Sequence, residues 1–306
     1  MQNRPELLRS VAQAWELDGT GQLGRRRFAD LFSDSTYQMW TQMDLAYSEM
    51  VPRHGVHCVT ATETTRFDAP VRAGDPVVID GGVARLGTKS VTFEFRLKHA
   101  ATGAVHAVYT IVDVFFSPAT RRSEVMPDAV RRGLEPGLIA PAGPTRADPT
   151  RQSSHAEKNP NGGGKMSERL EVMRGVVHPW HQDHFGHMNV RHYAPFFDDA
   201  TYHMWTKMGV PYSEMLETHG VHCVTAQATT QFIKELKAGD LIVIDGVVSR
   251  LGTKSVTFHL RMMHADTGAQ HASYDIVDVF FDPRTRASTA MPAEVRARLA
   301  EWQVAV

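Results

Sequence analysis

Residues 85–93 read Arg-Leu-Gly-Thr-Lys-Ser-Val-Thr-Phe, and residues 250–258 read the same nine letters. The same offset of 165 positions relates residues 54–61 to residues 219–226, again without a gap. A period this long far exceeds the roughly 20 to 50 residues of solenoid repeats, so each copy is large enough to form a domain with its own core. The sequence therefore predicts a duplicated domain.

Composition is typical of two soluble globular domains. The chain has 306 residues, of which 42% are hydrophobic and 22% charged, and its net charge is −1. A charge so close to zero provides no global basic field to recruit nucleic acid or an anionic membrane. No run approaches the ~18 to 20 apolar residues of a membrane span, and residues 1–6 lack the apolar stretch of a signal peptide. We therefore expect a cytoplasmic protein, in which Cys58 and Cys223, at equivalent positions of the two copies, remain free thiols.

The segment between the copies has a different composition. Residues 136–168 are rich in Pro, Gly, Ser and Asn, with charged residues interspersed. Such a segment cannot bury enough apolar surface to order itself, which predicts a flexible linker between an N-terminal domain, residues 1–135, and a C-terminal domain, residues 169–306. Its length permits the two copies to pair face to face.

Within the second copy the hydrophobic pattern predicts one long helix among strands. Apolar residues recur at helical spacing from Tyr193 to Met208, and the helix is expected to end near Gly209. The remaining apolar stretches are rich in Val, Ile, Thr and Phe and are separated by turn signals. The predicted strands are residues 170–180, 221–232, 241–251, 255–264 and 270–281, and a short final helix covers residues 292–302. This order predicts an α+β architecture, with a long helix packed on an antiparallel five-stranded sheet in each copy.

The motif before the long helix completes a recognisable pattern. Asp183, Gly186, His187 and Asn189 form Asp-x-x-Gly-His-x-Asn, which is followed by the helix, by Ala-Gly-Asp at residues 238–240 and by the repeated strand segment. This pattern resembles the hot-dog fold of the 4-hydroxybenzoyl-CoA thioesterase-like acyl-CoA thioesterases. The resemblance implies two tandem hot-dog domains that form an intramolecular pseudo-dimer, with a site at each seam and further assembly into a homo-oligomer left open.

Thioester hydrolysis needs a base or nucleophile at the carbonyl carbon and donors that stabilise the developing oxyanion. Asp183 suits either of the first two roles. Gly186 permits close approach of the substrate, and the amides from Gly186 to Asn189, which have no intrahelical partners, are candidates to polarise the carbonyl. His187 either orients the substrate or water, or bonds a nearby backbone carbonyl. Asn189 has the alternative role of a helix cap.

The first copy retains only half of this motif. Asp18 and Gly21 correspond to Asp183 and Gly186, but Gln22 and Gly24 replace the histidine and asparagine. Because glycine offers no side-chain cap, we expect the first seam to be inactive or weakened. The retained Asp18 leaves open the alternative that both seams work.

Two further residues give specific expectations. Pro195 lies six positions after Asn189, so the long helix is expected either to kink or to begin late. Glu63 replaces the alanine found at position 228 in the other copy, and a carboxylate there either contributes to the functional seam or is a solvated strand residue.

Coenzyme A carries three phosphates, so its site should expose cations and backbone donors. The candidates lie in the repeated turn, where a solvated hairpin is the alternative explanation. They are Arg250, Thr253 and Lys254 in the second copy, and Arg85, Thr88 and Lys89 in the first.

The predicted function is hydrolysis of an acyl-CoA to free acid and CoA, with no cofactor and no metal. The histidines at positions 178, 181, 184 and 187 lack the closely spaced cysteines usual in structural zinc sites, which argues against a metal centre. The acyl pocket would include Tyr193, Phe197, Met204 and Trp205, unless these residues are simply core. The alternatives are a non-catalytic acyl-CoA binding or sensing module and a hot-dog hydratase or dehydratase.

Overall fold

The computed structural model describes residues 4–139 and 169–304, so the predicted linker lies outside the described residues from position 140 onward. In the first copy the elements are β1 (Glu6–Val11), α1 (Arg25–Gln42), α2 (Tyr47–His54), β2 (His57–Phe67), β3 (Pro76–Leu86), β4 (Ser90–His99), β5 (Val105–Ser117), β6 (Arg122–Ser123) and α3 (Asp128–Leu134). In the second copy they are β7 (Leu170–Val176), α4 (Tyr193–Lys207), α5 (Met215–His219), β8 (His222–Phe232), β9 (Leu241–Leu251), β10 (Ser255–His264), β11 (Gln270–Asp282), β12 (Ala287–Ser288) and α6 (Ala293–Ala300).

The long strands of both copies form one continuous antiparallel sheet. Its order is β1-β3-β4-β5-β2-β8-β11-β10-β9-β7, and the two-residue strands β6 and β12 pair with β5 and β11. The copies join where β2 pairs with β8, and Thr64 lies opposite Thr229, its own equivalent in the other copy. Their hydroxyl oxygens are 3.1 Å apart. A pseudo-twofold axis therefore passes between these two threonines, as the expected intramolecular pseudo-dimer requires.

Each copy keeps a separate core between its sheet and its long helix. The predicted stripe on α4 is buried along its whole length, from Tyr193 and Phe197 to Met204 and Met208. Phe197 stacks on Tyr274 of β11, with ring centroids 4.7 Å apart. The predicted tandem α+β fold, with a long helix on five long antiparallel strands in each copy, is confirmed.

Helix α4 begins late, which is one of the two effects expected of Pro195. In the first copy α1 begins at Arg25, whose equivalent is Val190, yet α4 begins only at Tyr193. A short 3₁₀ turn over Val190–His192 fills the difference. Pro195 thus falls in the first turn of α4, where a backbone N–H has no intrahelical acceptor, so its missing donor costs no helical hydrogen bond.

The structure corrects several element boundaries. The first strand of the second copy ends at Val176 instead of residue 180, because Pro179 opens a 3₁₀ turn that runs to His181. Helices α2 and α5, which follow the long helices, were not predicted from sequence. Residues 136–139, assigned to the linker, pack on β3, where the amide of Ile139 donates to the carbonyl of Val83 over 2.9 Å. The packed part of the first copy therefore extends to Ile139.

The two long helices lie side by side across the seam, where equivalent ion pairs hold them. Arg191 Nη2 lies 2.9 Å from Asp34 Oδ1, and the equivalent residues Arg26 and Asp199 also form an ion pair. These contacts bring the first turn of α1 and the 3₁₀ turn before α4 each against the long helix of the other copy. No helix among the described residues combines the length and apolarity needed to cross a membrane.

Candidate functional site

The loop before α4 fixes the position of Asp183 by internal hydrogen bonds. Asp183 Oδ1 accepts from the amides of Phe185 (2.8 Å) and His187 (3.2 Å), and the Asp183 amide donates to the carbonyl of His187 over 2.8 Å. Gly186 turns the chain with φ of +76°, a left-handed conformation that favours glycine, although a β-carbon there would meet no atom closer than 3.9 Å. Both hydrogen bonds that the Asp183 carboxylate accepts from described residues go to Oδ1, so Oδ2 is left for a ligand.

Asp183 lines a cavity of about 540 Å³ between the two copies, which we call the C-seam cavity. One wall is the motif loop of the second copy, with His187, Asn189 and Val190, and the other belongs to α1, α2 and β2 of the first copy. Three sequence-predicted catalytic residues, Asp183, His187 and Asn189, therefore meet at one cavity. Gly186 shapes the loop behind them.

The His187 side chain contacts a carboxylate, and within the described part of the chain it makes no hydrogen bond to a backbone carbonyl. Its Nε2 lies 3.1 Å from Oε2 of Glu235, and the same oxygen lies 3.1 Å from Nη2 of Arg121, which the other copy contributes. All three residues line the cavity. Arg121 and Glu235 were not predicted from the sequence, although Glu235 differs from its counterpart Pro70, a change that accompanies the change from Gln22 to His187.

The predicted set of free amides is wrong in detail. Gly186 donates to the carbonyl of Asp183, His187 to Asp183 Oδ1, Met188 to Leu236 and Asn189 to His181, so all four amides have partners. The reason is that this loop closes on itself and on the chain after β8 instead of opening directly into a helix. The amide of Val190 makes no hydrogen bond within the described residues, and Val190 lines the cavity.

Asn189 acts as a cap, which was the alternative role predicted for it from the sequence. Its Oδ1 accepts from the amide of Arg191 over 3.1 Å, which caps the 3₁₀ turn. Its Nδ2 reaches across the seam to the hydroxyl of Tyr37 at 3.5 Å. Asn189 thus ties the motif loop to α1 of the other copy.

A buried acid lies behind the first-copy wall of the cavity. Asp113 is fully buried, and its carboxylate accepts from Thr60 Oγ1 (2.8 Å) and from the Tyr47 hydroxyl (3.3 Å), two residues that line the cavity. Burial raises the pKa of Asp113 to about 6, although hydrogen bonds partly offset this effect. The carboxylate holds Thr60 and Tyr47 in fixed orientations.

Glu63 is hydrogen-bonded to a residue that lines the same cavity. The hydroxyl of Tyr109, which lines the cavity, donates to Glu63 Oε2 over 2.8 Å, and Thr230 of the second copy donates to Oε1 over 3.1 Å. Burial raises the pKa of Glu63 to about 7. Glu63 is therefore not a solvated strand residue, and its link to the cavity runs through Tyr109.

The other seam has a cavity of about 500 Å³, the N-seam cavity, with a different polar arrangement. Arg25 Nε donates to Asp198 Oδ1 over 2.6 Å, and Arg25 Nη1 donates to Thr225 Oγ1 over 2.6 Å. The corresponding residues of the C-seam are Val190 and Ser33. Although Asp18 lines this cavity, a mostly buried ion pair lies where the C-seam has an apolar and a small hydroxyl side chain.

The six candidate CoA-binding residues line neither cavity. All six are exposed, with the two arginines at the ends of β3 and β9 and the other four on the hairpin turns that follow, and four strands of the sheet separate the two turns. Lys89 Nζ donates to the carbonyl of Ser123 and Lys254 Nζ to that of Ser288, each over 3.0 Å, so the lysines anchor β6 and β12. The structure therefore does not bring the two groups together, and the arginine and lysine side chains that line the C-seam cavity are instead Arg121 and Lys234.

The predicted acyl-pocket residues divide between cavity and core. Tyr193 lines the C-seam cavity, whereas Phe197 and Met204 are fully buried in the core of the second copy and Trp205 lines the N-seam cavity. Among residues 4–139 and 169–304, no group of three or more His, Cys, Asp or Glu residues is arranged to hold a metal ion.

The family model described as the thioesterase-like superfamily matches the chain twice, over residues 12–134 and residues 177–299. Among solved structures, a putative oleoyl thioesterase from Lactobacillus plantarum superposes with a TM-score of 0.68 at 16% identity, over 90% of this chain and 97% of its own. The 12:0-ACP thioesterase from Umbellularia californica gives 0.69 at 12% identity, over 89% and 96%.

A third structure, an acyl-ACP thioesterase from Bacteroides thetaiotaomicron VPI-5482, gives a TM-score of 0.65 at 12% identity, over 89% of this chain and 96% of its own. At such identities the likeness shows the fold, which in each case extends over both copies. No curated protein sequence matches this chain.

Proposed function

Because this chain belongs to the thioesterase-like superfamily, we propose that it hydrolyses acyl thioesters, with Asp183 as the group that starts the reaction in the C-seam cavity. The observation that carries this proposal is the position of the Asp183 carboxylate, which two loop amides hold in a cavity lined by both copies. The N-seam is inactive or weakened, since the Arg25–Asp198 ion pair lies in its cavity.

The reaction consumes one water and breaks the carbon–sulfur bond. As a general base, Asp183 takes a proton from water, the water oxygen bonds to the carbonyl carbon, and the tetrahedral intermediate expels the thiolate, which is then protonated. As a nucleophile, the carboxylate attacks the same carbon, releases the thiol through a mixed anhydride, and is regenerated when water cleaves that anhydride. In both routes the products are a free acid and a thiol.

The remaining groups at the cavity have supporting roles. The candidate donors to the carbonyl oxygen of the thioester are the Val190 amide and the hydroxyl groups that the first copy contributes to the cavity. The amides from Gly186 to Asn189 already donate hydrogen bonds to other groups. His187, whose Nε2 lies 3.1 Å from the Glu235 carboxylate, lies beside Asp183 and orients water or substrate. No metal or redox cofactor enters either route.

We propose an acyl-CoA as substrate, with Arg121 as a contact for its anionic part and the exposed turns at Arg85, Lys89, Arg250 and Lys254 as further candidates. Because two of the similar structures are a 12:0-ACP thioesterase and an acyl-ACP thioesterase, the carrier is the first variable to test. A panel of matched acyl-CoA and acyl-ACP thioesters, assayed by thiol release, identifies it.

The same assay tests the function. We expect wild-type protein to release thiol with saturation and the Asp183→Asn variant to lose about 10²- to 10⁴-fold in kcat, the usual contribution of a positioned proton acceptor. Saturable binding of an acyl-CoA without thiol release would instead identify a binding or sensing module. Added chelator is expected to leave the rate unchanged.

A further inference from the structure

The first copy places a tyrosine directly across the C-seam cavity from the motif loop. Tyr37 lies on α1, lines this cavity and keeps 36% of its surface exposed. Its ring packs against the ring of Tyr47, with centroids 4.9 Å apart, and the Tyr47 hydroxyl is anchored to Asp113. The Tyr37 phenol is therefore supported from behind and faces the cavity.

Asn189 determines which hydrogen-bonding role remains for the Tyr37 hydroxyl. Since Asn189 Oδ1 accepts from the Arg191 amide, the side-chain amide can turn only its Nδ2 towards Tyr37, at 3.5 Å. A phenol oxygen that accepts from Asn189 keeps its own proton for another acceptor. Within residues 4–139 and 169–304, the Tyr37 hydroxyl donates to no acceptor, so its proton is available to a ligand.

The electrostatic surroundings keep this proton in place. Burial raises the pKa of the Tyr37 phenol, and the negative charge of Asp183 raises it further, while the hydrogen bond from Asn189 acts in the opposite direction. The phenol and the Asp183 carboxylate belong to residues that line the same cavity. A neutral phenol next to the attacking group is a suitable donor for an oxyanion.

The N-seam retains the tyrosine but lacks this arrangement. Tyr202 is the equivalent of Tyr37, yet Gly24 replaces Asn189 and offers no side-chain amide. In addition, the guanidinium carbon of Arg25 lies 6.0 Å from the centroid of the Tyr202 ring. The chain therefore contains its own matched control.

We propose that Tyr37 donates its phenolic O–H to the carbonyl oxygen of the thioester as negative charge develops there. The first copy then contributes a catalytic donor to the site whose carboxylate comes from the second copy. This inference rests on the proposed thioesterase function. It explains in physical terms why the hydrolytic site needs both copies.

The test compares Tyr37→Phe with Tyr202→Phe in the full chain, using the acyl thioester that wild-type protein hydrolyses. Loss of one oxyanion donor costs about 10²- to 10³-fold in a dry site, so for the half-exposed Tyr37 we expect kcat to fall about 10- to 100-fold with KM changed less than twofold. Tyr202→Phe is expected to stay within twofold of wild type. The thioether analogue of the substrate, which lacks the carbonyl oxygen, should bind wild type and Tyr37→Phe with equal Kd.

The possible failures are distinguishable. If Asp183→Asn is inactive while Tyr37→Phe retains wild-type kcat, or if Tyr37→Phe raises KM alone, the donor role is overturned and the thioesterase function stands. Equal losses in Tyr37→Phe and Tyr202→Phe would also overturn it. A wild-type protein that releases no thiol from any carrier would overturn both proposals together.

Discussion

Replacing Glu63 by glutamine is expected to stabilise the protein at alkaline pH and to change little at pH 5. Glu63 lies next to the pseudo-twofold axis and accepts hydrogen bonds from Tyr109 and Thr230. Burial nevertheless raises its pKa from 4.5 to about 7. Glutamine keeps both contacts, because its carbonyl can accept from Tyr109 and its amide can donate to Thr230.

The size and sign of the effect follow from linkage. For a carboxyl whose pKa is raised on folding, the stabilising contribution is fully present below the unfolded pKa and is lost as pH rises through the folded pKa. The rise of this pKa from 4.5 to about 7 corresponds to at most about 3.5 kcal/mol, at about 1.4 kcal/mol for each pKa unit. Part of this destabilisation of the wild-type protein is already present at pH 5. We therefore expect the free energy of unfolding of Glu63→Gln, relative to wild type, to rise by about 2 kcal/mol between pH 5 and pH 8.

Urea unfolding of both proteins at pH 5 and pH 8 measures this gain. The exposed residue Glu217 provides the control, since Glu217→Gln removes a carboxyl at a site without this burial. A stability difference between Glu63→Gln and wild type that is the same at both pH values would refute the reasoning. A variant less stable than wild type at pH 8 would refute it as well.

Two further predictions use equivalent positions of the two copies. Arg25→Ala should lower the free energy of unfolding by about 3 kcal/mol, because it leaves Asp198 buried without its main partner. Arg25→Val combined with Asp198→Ser, which reproduces the C-seam residues, should lower it less. Urea unfolding measures both, and equal losses would contradict the explanation. Gly186→Ala and Gly21→Ala should each lower the free energy of unfolding by about 1 kcal/mol, because φ at these glycines is +76° and +77°. Only Gly186→Ala should also slow thiol release. Equal slowing by both variants would argue against a site at one seam alone.

The fold was predictable because its signals are local and occur twice. The strands over residues 241–251 and 255–264 were predicted with the bounds that the structure shows, since β-branched runs end at clear turn residues. Helices α2 and α5 were not predicted, because they are short and their burial depends on packing against the following strand. The late start of α4 was foreseeable from Pro195, but the 3₁₀ turn before it was not.

The site was only partly predictable. Asp183, His187 and Asn189 were found because they form a compact motif, whereas Tyr37, Arg121 and Glu235 come from distant elements that only the fold brings to the cavity. A usable signal was nevertheless present. Several positions where the copies differ, among them Asn189 against Gly24 and Val190 against Arg25, cluster at the seams, while shared residues such as Lys89 and Lys254 serve the scaffold.

We propose that one carboxylate, Asp183, performs the hydrolysis at one of the two related seams. The most direct measurement is the single-turnover rate of thioester cleavage in Asp183→Asn compared with Asp18→Asn, with enzyme in excess over substrate. We expect cleavage to be lost in Asp183→Asn and to proceed at the wild-type rate in Asp18→Asn. Cleavage that survives in Asp183→Asn, or that is lost equally in both variants, would contradict a single catalytic carboxylate at the C-seam.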